Sequence, residues 1–133
     1  MKNKFLMILA VVLIGFSGCQ AQQKNSDSFT NLSATEFKEQ IKAEKGIVLD
    51  VRTANEIAQG KIGEAQEIDF YNEGFLEEAS KLPKDQPIYV YCAAGGRSSK
   101  AANMLVEQGF TKVYNLDGGI GAWNQNGFEL NKK

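Results

Sequence analysis

The chain has 133 residues, the size of a single domain. Apolar types make up 43% and charged types 23%, as in an ordinary globule, which excludes disordered, collagen-like and disulfide-scaffold chains. A formal charge of -1 gives no electrostatic ground for binding nucleic acid, and the absence of histidine removes His-based triads, proton shuttles and metal sites.

The chain opens on Lys2 and Lys4, followed by an apolar run over residues 5–16. As a helix this run reaches about 18 Å, short of the ~30 Å hydrocarbon core, so it reads as the apolar part of a secretory leader and not as a spanning helix. Phe16-Ser17-Gly18-Cys19 then resembles the lipobox of bacterial lipoproteins, in which small residues precede a cysteine that is lipidated and becomes the first residue. Phe16 stands where such boxes usually carry leucine. The resemblance implies a signal peptide over 1–18, a lipid on Cys19 and a place in the bacterial cell envelope, facing the periplasm or the exterior. An ordinary leader with an incidental cysteine is the alternative. Residues 19–28 are polar and read as a tether, which leaves 29–131 as the domain. Without residues 1–18 the balance is 13 positive against 16 negative side chains, so a lipid and not surface charge would hold the protein at a membrane.

Strand and helix patterns alternate from there. Ser33 and Glu36 have the spacing of a capping box, with Leu32 placed to staple onto Phe37, and Phe37 and Ile41 share one helix face up to a stop at Gly46. Residues 47–51 form an apolar run typical of a strand covered on both faces. Thr53 and Glu56 repeat the capping-box spacing for a short helix ending at Gly60. Residues 67–70 predict a weak strand, and Asn72 a cap for a helix through Leu82, with Pro83 beyond. Residues 88–91 are a strong strand, 98–108 a helix stopped at Gly109, 113–116 a strand, and 121–125 a last short helix. The alternation predicts an α/β fold of three layers, a small parallel sheet of four to five strands with helices on both faces.

In such sheets chemistry gathers beyond the carboxyl ends of the strands. Cys92 is the first residue after the run 88–91, and Ala93, Ala94, Gly95, Gly96, Arg97 and Ser98 lead from it into a helix. Adjacent glycines let amide N–H groups converge on one point, and the helix start adds free donors and a positive dipole end. A cysteine facing that nest favours its thiolate, the nucleophilic form, and Arg97 adds a fixed charge with forked donors for an oxyanion. A lone cysteine beside an apolar strand is more often a buried small hydrophobe. The joint pattern of strand, cysteine, glycines, arginine and helix favours the reactive thiol.

Three segments in order carry a resemblance to the single-domain rhodanese family of sulfurtransferases, over residues 30 to 130. They are Asp50-Val51-Arg52 with Glu56 and the stretch from Gly60 to Ala65; the loop from Cys92 to Ser98; and Leu116-Asp117-Gly118-Gly119 with Trp123. Lys61 stands where the family has histidine. The resemblance implies transfer of a sulfane sulfur from a donor, thiosulfate or a persulfide, to a thiol or cyanide acceptor through a persulfide on Cys92. The loop amides from Ala93 to Ser98 would stabilise the anionic sulfur, and Arg97 would hold the loop or the donor's oxyanion. Asp50 and Arg52 would shape the pocket floor through an ion pair, with a purely structural role as the alternative. Asp117 reads as a turn residue, Trp123 as core or as the pocket mouth, and Tyr89 and Tyr91 as packing against helices.

Four residues separate Cys92 from Arg97. Phosphatases of similar fold have a longer loop, so the count speaks against phosphoryl transfer. Loops tuned for thiosulfate often carry a basic residue after the cysteine, where this chain has Ala93 and Ala94, so weak thiosulfate binding is expected. No C-x-x-C is present to support disulfide exchange. A membrane-tethered persulfide carrier with little turnover is the second expectation. Neither scheme calls for a cofactor or a metal, and the chain is expected to act as a monomer.

Overall fold

A computed structural model describes residues 28–132. The leader, Cys19 and all but the last residue of the tether lie outside them. The elements in order are β1 (Thr30–Leu32), α1 (Ala34–Ala43), β2 (Ile47–Asp50), α2 (Ala54–Ile57), β3 (Gln66–Glu67), α3 (Phe75–Ser80), β4 (Ile88–Tyr91), α4 (Gly96–Glu107), β5 (Val113–Leu116) and α5 (Gly119–Gln125). The five strands form one sheet in the order β1-β5-β4-β2-β3, and every pairing is parallel.

Both predicted capping boxes close. The Ser33 hydroxyl accepts from the Glu36 amide while the Glu36 carboxylate accepts from the Ser33 amide, and Thr53 and Glu56 repeat the exchange at the start of α2. Leu32 packs against the cluster that holds Phe37. Gly46 lies beyond the helix, where a Cβ would sit 2.3 Å from the Pro87 carbonyl oxygen.

β4 occupies the middle of the sheet and is buried along its whole length. Its side chains alternate with the period of a strand. Ile88, Val90 and Cys92 join the core beside α3 and α4, whereas Tyr89 and Tyr91 join Phe37, Leu116 and Trp123 beside α1 and α5. The tyrosines thus pack against helices, as their alternation predicts. The Tyr89 hydroxyl donates to the Glu44 carbonyl oxygen at 2.6 Å, and its ring stacks on Tyr114 with centroids 5.2 Å apart. Phe37 is fully buried, which contributes about 1.5–3 kcal/mol of apolar transfer.

Several boundaries differ from the pattern-based expectation. β1 was not predicted, because three polar-flanked residues are too few to show periodicity; it exists by pairing with β5. β3 covers only Gln66–Glu67 and not 67–70, since beyond it the chain holds β2 by single bonds, Ile68 N to Asp50 O and Phe70 N to Val51 O. Asn72 does not cap α3. Its side-chain oxygen accepts from the Gly74 amide at 3.1 Å, making the turn that precedes the helix, and Gly74 takes the cap position. α4 starts at Gly96 and α5 at Gly119, each two residues earlier than expected. The earlier start of α4 places Arg97 and Ser98 in its first turn.

Candidate active site

Cys92 directly follows the carboxyl end of β4, with β2 and β5 on either side. Only 1% of the residue is exposed. Burial alone suits a small hydrophobe, but the sulfur is met by donors. The Gly95 amide lies 3.1 Å from Sγ, the Ser98 amide 3.4 Å and the Ser98 hydroxyl 3.3 Å. Burial pushes the Cys92 thiol up, while the Ser98 hydroxyl and the amides of Ser98, Gly95 and Ala94 pull it down; the donors prevail and the thiol lies below its ordinary value. Around the bare thiol the donors come from Ala94, Gly95 and Ser98. The Ala93 carbonyl accepts from Gly121, and Gly96 is the first residue of α4.

The loop's shape rests on glycine at Gly95, where φ is +105°, a region that side chains avoid. Its outward carbonyls rest on the start of α5. The Ile120 amide donates to the Cys92 carbonyl oxygen at 2.9 Å and the Gly121 amide to that of Ala93 at 3.2 Å. With the Ala93 carbonyl turned outward, the Ala94 amide of the same peptide plane faces the sulfur. Gly119 permits the approach, since a Cβ there would lie 2.5 Å from the Cys92 carbonyl oxygen.

Arg97 does not offer its fork to a ligand. Its two terminal nitrogens donate to Glu56, at 2.8 Å to Oε2 and 2.7 Å to Oε1. Of the two roles expected for Arg97, this pairing favours holding the loop over meeting the donor's oxyanion. Hydrogen bonding from Arg97 draws the Glu56 carboxyl down to about 2, and Glu56 in turn raises the Arg97 guanidinium. The exposed ring of Tyr71 lies 5.4 Å from the guanidinium. The sequence hid this role of Glu56, because its capping-box spacing already accounted for it; its place in the quoted motif with Asp50 and Arg52 was the available signal.

Asp50 and Arg52 do form the expected ion pair, 2.7 Å apart and almost wholly buried. Tyr91 donates its hydroxyl to Asp50 at 2.6 Å, and Arg52 also donates to the Gly60 carbonyl at 2.8 Å and the Glu56 carbonyl at 3.3 Å. The network ties β2, β4 and the chain after α2 together. Lys61 donates to the Ala65 carbonyl at 2.9 Å and pairs with Glu67 at 3.1 Å. Trp123 is core, with its indole N–H on the Glu129 carbonyl oxygen at 3.0 Å. Beside the loop a cavity of about 310 Å³ opens between Arg52, Gln59, Ala93, Ile120, Asn124 and Leu130.

Known proteins resemble the chain over most of this domain. Residues 33–126 match the model of the rhodanese-like domain. A sulfurtransferase of Allochromatium vinosum is 38% identical over 84 residues, which cover 63% of this chain and 77% of that protein. The thiosulfate sulfurtransferase GlpE of Shewanella oneidensis is 35% identical over 98 residues, covering 74% of this chain and 95% of that one. Among solved structures, a rhodanese-related protein from Thermoplasma volcanium superposes with a TM-score of 0.71 at 30% identity, over 79% of this chain and 100% of the other.

Proposed function

The chain belongs to the rhodanese-like domain family, and from that premise we propose that it is a sulfurtransferase working through a persulfide on Cys92. The observation that carries this is the sulfur itself, held by two amides and a hydroxyl at the start of α4. In the first half-reaction the Cys92 thiolate attacks the outer sulfur of the donor. An Sγ–S bond forms, the donor's S–S bond breaks, and sulfite (from thiosulfate) or a thiolate (from a persulfide) leaves with the electron pair. The persulfide keeps the negative charge, and the amides that held the thiolate face it. In the second half-reaction a thiolate or cyanide attacks the outer sulfur, and Cys92 returns as thiolate. No base is needed because the thiol is already biased toward ionisation.

Arg97 being engaged by Glu56 and Ala93 being neutral, the loop has little to draw in a dianion. A persulfide donor fits it better than thiosulfate. The near-complete burial of Cys92 also favours the second reading, a carrier that shields its sulfur and releases it only to a partner. We extend the proposal to the N-terminus on the strength of its sequence: a leader over 1–18, a lipid on Cys19 and a domain tethered in the bacterial cell envelope, acting as a monomer.

Intact mass spectrometry of the mature protein before and after donor tests these points together. Donor-treated protein should gain one sulfur on the Cys92 peptide, and Cys92→Ser should gain none and lose all transfer. Unchanged transfer in Cys92→Ser would sink the proposal. A loaded protein that does not turn over with thiols or cyanide identifies the carrier, and the starting mass reports the lipid.

A further inference from the structure

The Ser98 hydroxyl has one proton and two acceptors within reach: Cys92 Sγ at 3.3 Å and the Gly95 carbonyl oxygen, also at 3.3 Å. Distance does not choose between them, so something else must. The Gly95 carbonyl already accepts the Ser99 amide at 3.1 Å and the Ser99 hydroxyl at 2.7 Å. A carbonyl oxygen has two lone pairs, and both are taken. The Ser99 oxygen also accepts from the Asn115 side-chain amide at 3.1 Å, so its proton points away from Asn115 and is free for the Gly95 carbonyl. Asn115 is 1% exposed on β5, and its other N–H goes to the Asn31 side-chain oxygen at 2.8 Å. Both amide protons of Asn115 are thus donated, while its side-chain oxygen is buried without a hydrogen-bond partner.

We propose that Ser99, held by Asn115, is a positioning residue that fills the Gly95 carbonyl and so commits the Ser98 proton to the Cys92 sulfur. It never touches the sulfur. It acts by denying the Ser98 hydroxyl its competing acceptor. The proposal deepens the persulfide mechanism and rests on it for its purpose, though not for its test.

The test is an ultraviolet titration of the thiolate in the full chain, with Cys92→Ser as the baseline that subtracts every other group. It needs no sulfur donor, so a protein that fails to take up sulfur would end the proposed function and leave this test standing. No variant used substitutes Arg97 or Glu56, the charged pair beside the sulfur. In Ser99→Ala the Gly95 carbonyl has a free lone pair and the Ser98 proton is shared. The thiolate fraction on the acid side of the midpoint should then fall about 3- to 10-fold. Ser99→Thr keeps the hydroxyl and should titrate as the unmodified chain does, while Ser99→Val, equal in shape without it, should follow Ser99→Ala. In a Ser98→Ala background, Ser99→Ala should change nothing further. Equal titration of the Thr and Val variants would overturn the proposal. So would a Ser99→Ala shift that persists without the Ser98 hydroxyl.

Discussion

The Asp50–Arg52 pair and the Glu56–Arg97 pair use the same fork-on-carboxylate chemistry at different depths. Asp50 and Arg52 are two residues apart in sequence, and their side chains are 0% and 4% exposed. Around them Tyr91 donates to Asp50, and the carbonyls of Glu56 and Gly60 accept from Arg52. Glu56 and Arg97 are 41 residues apart and are 34% and 17% exposed. Water screens this second pair, so its Coulombic contribution is modest. What it does is join the start of α2 to the start of α4, directly beside the sulfur. The same ion pair thus secures the fold when it is deep and aims a loop when it is shallow.

The contrast can be tested by breaking each pair in turn. Arg52→Ala leaves Asp50 buried without its partner and should cost about 3–5 kcal/mol in urea denaturation. A cost near that of a surface substitution would erase the distinction. Glu56→Gln should cost only about 1 kcal/mol of stability. Its effect on chemistry should be larger than on stability, with initial sulfur loading lowered about tenfold as the loop loses its fixed geometry. A stability loss matching that of Arg52→Ala would show that the two pairs do not differ in kind. The smallest effect is on acid stability. The folded-state value of Glu56 is depressed to about 2, below its unfolded value, so the pair's contribution is complete above the ordinary carboxylate range. It is lost as the pH falls from that range toward about 2. The stability difference between the unmodified chain and Glu56→Gln should shrink over that window and not at higher pH.

Much of the fold was legible because local signals and tertiary needs agreed. Ser33 with Glu36, and Thr53 with Glu56, carry their helix starts in four residues of sequence, and the apolar runs of β2, β4 and β5 need no further context. β1 and β3 were not legible as such, since edge strands of three and two residues owe their existence to the neighbour they pair with. Asn72 misled because an oxygen that makes a turn and one that caps a helix look alike in sequence. In the site, Cys92 and its glycines could be read from the strand–loop–helix pattern. The capture of Arg97 by Glu56 could not, because partners 41 residues apart meet only once the sheet has ordered its strands. Nor could the outward hold on the loop from Ile120 and Gly121, which are unremarkable residues whose backbone alone is used.

That hold has a consequence for engineering. The segment from Cys92 to Ser98 is only half of a device whose other half is the start of α5, just beyond β5. A transplant of those seven residues into another parallel sheet would bring the nucleophile without the brace that faces its peptide planes the right way, and the grafted sulfur would behave as an ordinary thiol. Carrying the reactivity across requires moving both strand ends, β4 and β5, as one unit.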